Sequence, residues 1–223
     1  MRALVIANRV DPDPGYVGAA LAARGFTLDL CWREQDRPLP DPTGYDLVLA
    51  LGSDWSVYWE HVAVHVDREA ALLRAAVDEA VPVLGLCFGA QLLAHALGGR
   101  VEPAPTPEIG WYRVESDRPE QLPEGPYAQW HVDRFVPPPA AVELARSPAG
   151  SQAYALGSAL GLQFHPEASP EILRRWVEEG QSSLDANGVD GAAFLAEAEA
   201  RAEETRARAD LVVTAFLGGR LAT

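Results

Sequence analysis

The chain is 223 residues long, with 32 Asp+Glu against 18 basic residues, every one of which is arginine. A net charge of −14 opposes any basic face for nucleic acid or anionic lipid. The absence of lysine excludes a Walker A phosphate loop, a Schiff-base or pyridoxal-phosphate lysine and the strand lysine of protein kinases. At roughly 150 residues per domain the length predicts one α/β domain over residues 1–223, large enough to bury about 70% of its surface without disulfide or metal support.

The elements read in chain order as alternating strands and helices. Leu4–Ala7 is the first apolar strand, and Ala-rich Tyr16–Arg24 is a helix stopped by Gly25. Thr27–Cys31 and Asp46–Leu51 are strands joined by the Pro-containing stretch Arg37–Pro42. Asp67–Ala80 is a helix, capped by Asp67, with Ala70, Leu73, Val77 and Ala80 on one stripe. Val81–Leu84 then runs straight into Gly85, Cys87 and Gly89, with helical spacing at Leu92, Leu93, Ala96 and Leu97: strand, tight turn, helix.

From Arg100 to Phe164 the pattern changes to short strands broken by Pro and Gly, an antiparallel extension rather than further βαβ units. Pro170–Glu179 is a helix, and Gly191–Leu217 is a charged, Ala-rich helix after the Asn187-Gly188 turn. The length of this last helix allows packing on the sheet or a homodimer contact, packing within the chain being the expectation. The predicted fold is a three-layer α/β sandwich with a mostly parallel central sheet and a short antiparallel extension.

Gly85-Leu-Cys87-Phe-Gly89 is a nucleophile elbow with Cys in place of Ser. Its glycines let the chain pass through the crowded turn, and the turn places the sulfur at a helix N-terminus, where the dipole favours thiolate. The N–H of Phe88 is a natural oxyanion donor. Such a thiolate needs a base and the base an orienter. Of five histidines, His95 lies too far along the elbow helix, and His61 and His65 read as solvated. His165 follows an apolar strand in Phe164-His165-Pro166-Glu167, Pro166 biases it toward extended backbone, and Glu167, two residues on, faces the same side. Cys87, His165 and Glu167 therefore form the candidate catalytic set, and nothing in the pattern calls for a cofactor or metal.

Gly85–Gln91 followed by Phe164–Glu167 resembles the class I (triad) glutamine amidotransferases, a likeness running from Leu4 to about Trp176. The resemblance implies a flavodoxin-like fold and hydrolysis of the glutamine side-chain amide through a γ-glutamyl thioester. Cys87 would be the nucleophile, His165 the general acid/base and Glu167 the orienting carboxylate. Gln91 matches a glutamine that contacts substrate. Leu51-Gly52-Ser53 matches the first glycine motif, so a Gly52 or Ser53 N–H would complete the oxyanion hole with Phe88; many members have two consecutive glycines there, whereas here Gly52 is followed by Ser53. Pro107–Trp111 and Trp130–Phe135 are similar to segments of free-standing, GMP-synthase-like members, which makes Trp111, Trp130 and His131 pocket candidates, with His131 and Asp133 as a paired contact.

The implied activity is release of ammonia from glutamine for a separate synthase or other acceptor enzyme. A γ-glutamyl hydrolase or peptidase with the same set of residues is an alternative, and a non-catalytic interaction module a second. No apolar run reaches about 18 residues and no signal segment precedes the first strand, so a cytoplasmic, non-membrane protein is expected. Two cysteines, Cys31 and Cys87, supply no disulfide framework.

Overall fold

The computed structural model describes residues 1–221, so the last two residues of the expected 1–223 unit lie outside the described residues. Nine strands form one sheet, β1 (Arg2–Ala7), β2 (Thr27–Trp32), β3 (Leu47–Ala50), β4 (Val83–Leu86), β5 (Arg100–Ser116), β6 (Gly125–Val136), β7 (Val142–Ser147), β8 (Gly150–Leu156) and β9 (Ala159–Leu162). The order is β2-β1-β3-β4-β9-β8-β7-β5-β6. The first five in that order are parallel, and with β9 as the fifth parallel strand they reproduce the flavodoxin-like 2-1-3-4-5 arrangement. The remaining four extend the sheet beyond β9, each antiparallel to the strand before it in that order.

Six helices complete the described chain: α1 (Gly15–Ala23), α2 (Ala63–Asp78), α3 (Phe88–Ala96), α4 (Pro170–Glu179), α5 (Gln181–Ala186) and α6 (Gly191–Leu217). Side chains alternate across a strand, so β1 feeds two cores at once. Ala3, Val5 and Ala7 join Leu49, Leu86 and Phe164 beneath α1 and the second half of α6. Leu4 and Ile6 join Val48 and Val83 beneath α2 and α3. Burying each such Leu, Ile or Val is worth about 1.5–3 kcal/mol, which is why these strands are apolar throughout rather than alternating.

Three expectations change. Strand β9 lies within the 100–164 stretch expected to be an antiparallel extension, yet it pairs parallel with β4 and completes the parallel half of the sheet. Helix α2 starts at Ala63, fed by a 3₁₀ turn at Glu60–Val62, so Asp67 lies within the helix instead of capping it. Its buried face is Val66, Glu69, Leu72, Leu73 and Ala76, rotated from the expected stripe because a carboxylate, Glu69, sits on it. The antiparallel part also contains a 17-residue strand, β5, rather than only short ones. The prolines that suggested breaks fall where the β5–β6 register shifts between Pro103 and Glu108, a bulge that tolerates missing N–H donors.

The chain after β9 is built by conventional caps. Ser169 accepts from Ile172 N at 3.3 Å with Pro170 in the first helical turn, and Asp190 accepts from Ala192 N and Ala193 N at 2.9 and 3.2 Å. The first half of α6 covers a third apolar cluster with Trp130, Trp176 and Leu173, which accounts for the helix's length by contacts inside the chain. No helix among the described residues is long and apolar enough to cross a membrane.

Candidate active site

In open α/β sheets, ligands bind beyond the carboxyl ends of the strands where the order reverses. Here that is the end of β1 and β3, and the elbow follows β4 next door. Cys87 is the residue before α3 and has φ +49°, a left-handed conformation that strains any residue but glycine. The strain is held from both sides. Cys87 N donates to Leu162 O at 2.8 Å, and Cys87 O accepts from Gln91 N at 3.0 Å. A Cβ on Gly85 would lie 2.7 Å from Gly89 O, and one on Gly89 only 2.1 Å from Ala50 O on β3. Both glycines are thus required by backbone packed against backbone. Phe88 is the first residue of α3, so its N–H has no partner within the helix and adjoins the sulfur.

His165 leaves β9 bridged to β6, its N–H donating to Ala128 O at 3.0 Å. Its Nδ1 is 2.6 Å from Glu167 Oε1, and both side chains are buried. The Glu167 backbone is fixed in turn by Tyr16 N, which donates to its carbonyl at 3.0 Å. Nδ1–H pointing at the carboxylate leaves Nε2 as the free nitrogen, and it is buried without a hydrogen-bond partner among the described residues. Burial alone would pull the ring's pKa down. The adjoining Glu167 and Cys87 side chains outweigh that and push it up to about 10. The Trp176 ring stands edge-on to the imidazole with centroids 4.6 Å apart, and its indole N–H donates to Asp11 Oδ2 at 2.7 Å. Asp11, partly buried there, has its pKa raised by loss of solvent.

Cys87 and His165 open into a cavity of about 410 Å³, within the range of small-molecule sites. Gly52 and Ser53 border it from the loop after β3, and Gln91, Trp130 and His131 from the elbow helix and β6. Asp11, Asp54, Asp133 and Glu179 supply carboxylates to the lining, while no arginine does. Gln163 Nε2 reaches Cys87 Sγ at 3.8 Å and Gln91 Nε2 reaches Gln163 Oε1 at 3.3 Å, so a buried amide pair backs the sulfur.

The expected residues therefore divide. Cys87, His165, Glu167, Phe88, Gly52, Ser53, Gln91, Trp130 and His131 are brought together. Trp111 is not: its indole N–H donates to Phe194 O at 3.2 Å and its ring packs on Phe194, away from the cavity, because β5 presents it to α6. His131 borders the cavity with both nitrogens occupied, Nδ1 donating to Asp133 O at 2.8 Å and Nε2 3.2 Å from Glu108 Oε2. The paired contact with Asp133 is to its carbonyl; the Asp133 carboxylate instead accepts from Tyr58 Oη at 2.8 Å and from Ser56 Oγ, holding the loop after β3 over the cavity. His65, read as solvated, is half-buried with its ring 5.6 Å from that of Trp55.

Sequence reasoning passed over Gln163, Asp11, Trp176 and Arg33. Arg33 is fully buried against Glu69, and the one signal for it was a carboxylate on the apolar face of α2. Among the described residues no group of three or more His, Cys, Asp or Glu is placed to hold a metal ion.

Comparison with known proteins places this geometry. The family described as "Glutamine amidotransferase class-I" matches residues 47–178, which hold the loop after β3, the elbow and the His165–Glu167 pair. The chain is 31% identical over 140 residues to a glutamine-hydrolysing GMP synthase subunit of Saccharolobus solfataricus, covering 59% of this chain and 72% of that one. It is 43% identical over 100 residues to the glutamine-hydrolysing GMP synthase of Thermomicrobium roseum, of which the match spans only 19%. A glutamine amidotransferase of Thermotoga maritima superposes with a TM-score of 0.86 at 27% identity, covering 97% of this chain and 98% of the other. One from Methylobacillus flagellatus also gives 0.86 at 27% identity, covering 97% and 94%. The chain belongs to the class-I glutamine amidotransferase family.

Proposed function

We propose that the chain, acting as one unit over 1–223, hydrolyses the side-chain amide of glutamine through a γ-glutamyl thioester on Cys87. The ammonia then passes to a separate acceptor enzyme. The observation that carries the reading is the Cys87–His165–Glu167 set: Cys87 and His165 both line the cavity, and His165, held at Nδ1 by Glu167, keeps a buried Nε2 without a hydrogen-bond partner among the described residues.

His165 Nε2 takes the thiol proton, and Glu167 holds the ring in the tautomer that allows it and stabilises the resulting imidazolium. The sulfur attacks the carboxamide carbon. The oxygen's developing charge is met by the Phe88 N–H and by the Gly52 or Ser53 N–H across the cavity. The imidazolium gives its proton to the amine, the C–N bond breaks and ammonia leaves. Water, deprotonated by the same nitrogen, attacks the thioester, releasing glutamate and restoring the thiol.

The cavity mouth supports an acceptor that covers it: Val10, Trp59 and Val132 border the opening with 66%, 37% and 50% of their surface exposed. The Saccharolobus solfataricus relative is named as one subunit of its synthase, which agrees with ammonia handed to another chain. A second reading, hydrolysis of a γ-glutamyl amide or peptide, draws on the cavity lining, whose carboxylates lack any arginine and so suit a leaving group bearing an ammonium.

Purified protein given glutamine and a panel of γ-glutamyl amines and peptides decides between the two. Glutamine turned over fastest, and faster still with an acceptor synthase present, is the expected result. A γ-glutamyl amine turned over much faster than glutamine would replace the first reading with the second.

A further inference from the structure

The proposed hydrolysis needs two amide N–H groups aimed at one point in front of Cys87. One is fixed by α3. The other sits on an irregular loop after β3, where nothing in the strand or helix geometry determines which way the peptide planes face.

Arg33, the residue after β2, is placed to determine it. Its side chain is fully buried, and all five of its N–H donors are spent inside the protein. Nε and Nη2 donate to the two carboxylate oxygens of Glu69 at 2.9 and 3.2 Å. Nη2 also donates to Leu51 O at 3.0 Å, and Nη1 to Gly52 O at 2.9 Å and to Asn8 Oδ1. The guanidinium lies over the Phe88 ring, 4.8 Å from its centroid, so it also touches the first residue of the elbow helix.

The consequence follows from the planarity of the peptide group. In a trans peptide the C=O and the N–H of the next residue point in opposite directions. A guanidinium that holds the Leu51 carbonyl turns the Gly52 N–H away from itself, and by holding the Gly52 carbonyl it turns away the Ser53 N–H. Arg33 does not border the cavity, whereas Gly52, Ser53 and Cys87 do. A methyl on Gly52 would lie 3.4 Å from His165 Cε1 and 3.7 Å from Cys87 Cβ, so the side facing away from Arg33 is the side of the nucleophile. Neither the Gly52 nor the Ser53 N–H is used in a hydrogen bond among the described residues. Two successive amides turned the same way form the concave arrangement that backbone uses to bind anions.

We infer that Arg33, clamped by Glu69, is a positioning residue that presets the Gly52–Ser53 amides as the second half of the oxyanion hole. The inference rests on the proposed hydrolysis. Lysine cannot take over, because one ammonium has three donors on a point and cannot span two carbonyls and a carboxylate in one plane.

The test is the double substitution Arg33→Met, Glu69→Met, which removes both buried charges together and so leaves neither unpaired. Glutamate release from glutamine is measured alongside alkylation of Cys87 by iodoacetamide, in which sulfur displaces iodide from carbon without forming an oxyanion. The expected result is kcat lower by about a hundredfold, KM within about threefold and alkylation within about twofold of wild type. Turnover retained within about threefold would overturn the inference. So would alkylation falling in step with turnover, since that means the pair merely holds the fold. Wild-type protein that fails to release glutamate overturns the proposed function, and with it the reason for an oxyanion hole.

Discussion

Gly89→Ala tests whether the elbow is held by backbone packing. The added Cβ would sit 2.1 Å from Ala50 O, 2.6 Å from Ala50 C and 2.9 Å from Ala50 Cβ, atoms of a central strand that cannot swing aside as a long side chain can. Ordinary contact begins at 3.4 Å, so α3 has to retreat from β3 by roughly 1.3 Å, an overpacking expected to cost about 1–3 kcal/mol. For a chain of this size each kcal/mol lowers Tm by about 2–4 °C. The retreat carries Phe88 and Cys87 with it, and a 1 Å misplacement of a reacting group costs about a hundredfold in rate. Urea unfolding and glutamine turnover are measured beside Gly44→Ala, a surface glycine whose Cβ would meet nothing within 4 Å. Gly89→Ala is expected to lose stability and activity together while Gly44→Ala changes neither. Stability within about 0.5 kcal/mol of wild type with normal turnover would refute the packing argument.

Further substitutions address the His165 surroundings. Glu167→Gln removes the carboxylate that raises the His165 pKa while leaving burial, so the ring's NMR titration is expected to move down from about 10 and kcat to fall by about a hundredfold or more; an unchanged midpoint contradicts the assignment. In the wild type, His165 binds its proton more tightly folded than unfolded, so its stabilising contribution is complete below pH 6.5 and lost as pH rises toward about 10. Unfolding free energy should therefore decline with alkalinity by up to about 1.4 kcal/mol per pH unit from this group, a slope that Glu167→Gln flattens. Trp176→Phe deletes the donor to Asp11 and leaves a partly buried carboxylate short of one hydrogen bond, an expected loss of about 1–3 kcal/mol in urea unfolding; no loss would mean that solvent replaces the indole.

Much of this architecture was legible in the amino-acid order because it depends on local rules. Apolar runs marked β1, β3, β4 and β9 since strands buried on both faces need no polar alternation. Gly85 and Gly89 marked the elbow because crowding around Cys87 admits no Cβ there, and the spacing of His165 and Glu167 put both on one side of an extended segment. Pairing across long separations was not legible. Arg33 reads as an ordinary surface charge until β2, the loop after β3 and α2 are packed together. Glu69 fell outside the expected stripe of Ala70, Leu73, Val77 and Ala80, because an apolar pattern has no place for a carboxylate that only Arg33 makes tolerable on the buried face of α2. Trp111 was expected in the pocket because its segment resembles one in free-standing, GMP-synthase-like members, but it shares a sheet face with Trp130 and packs against Phe194 of α6 without bordering the cavity.

The most direct test of the central claim is covalent. A glutamine-analogue diazoketone incubated with the full chain, followed by mass spectrometric mapping, should place one adduct on Cys87 and abolish glutamate release, with excess glutamine slowing both. An adduct on the buried Cys31 or on no cysteine, or undiminished turnover once Cys87 is modified, would contradict the account.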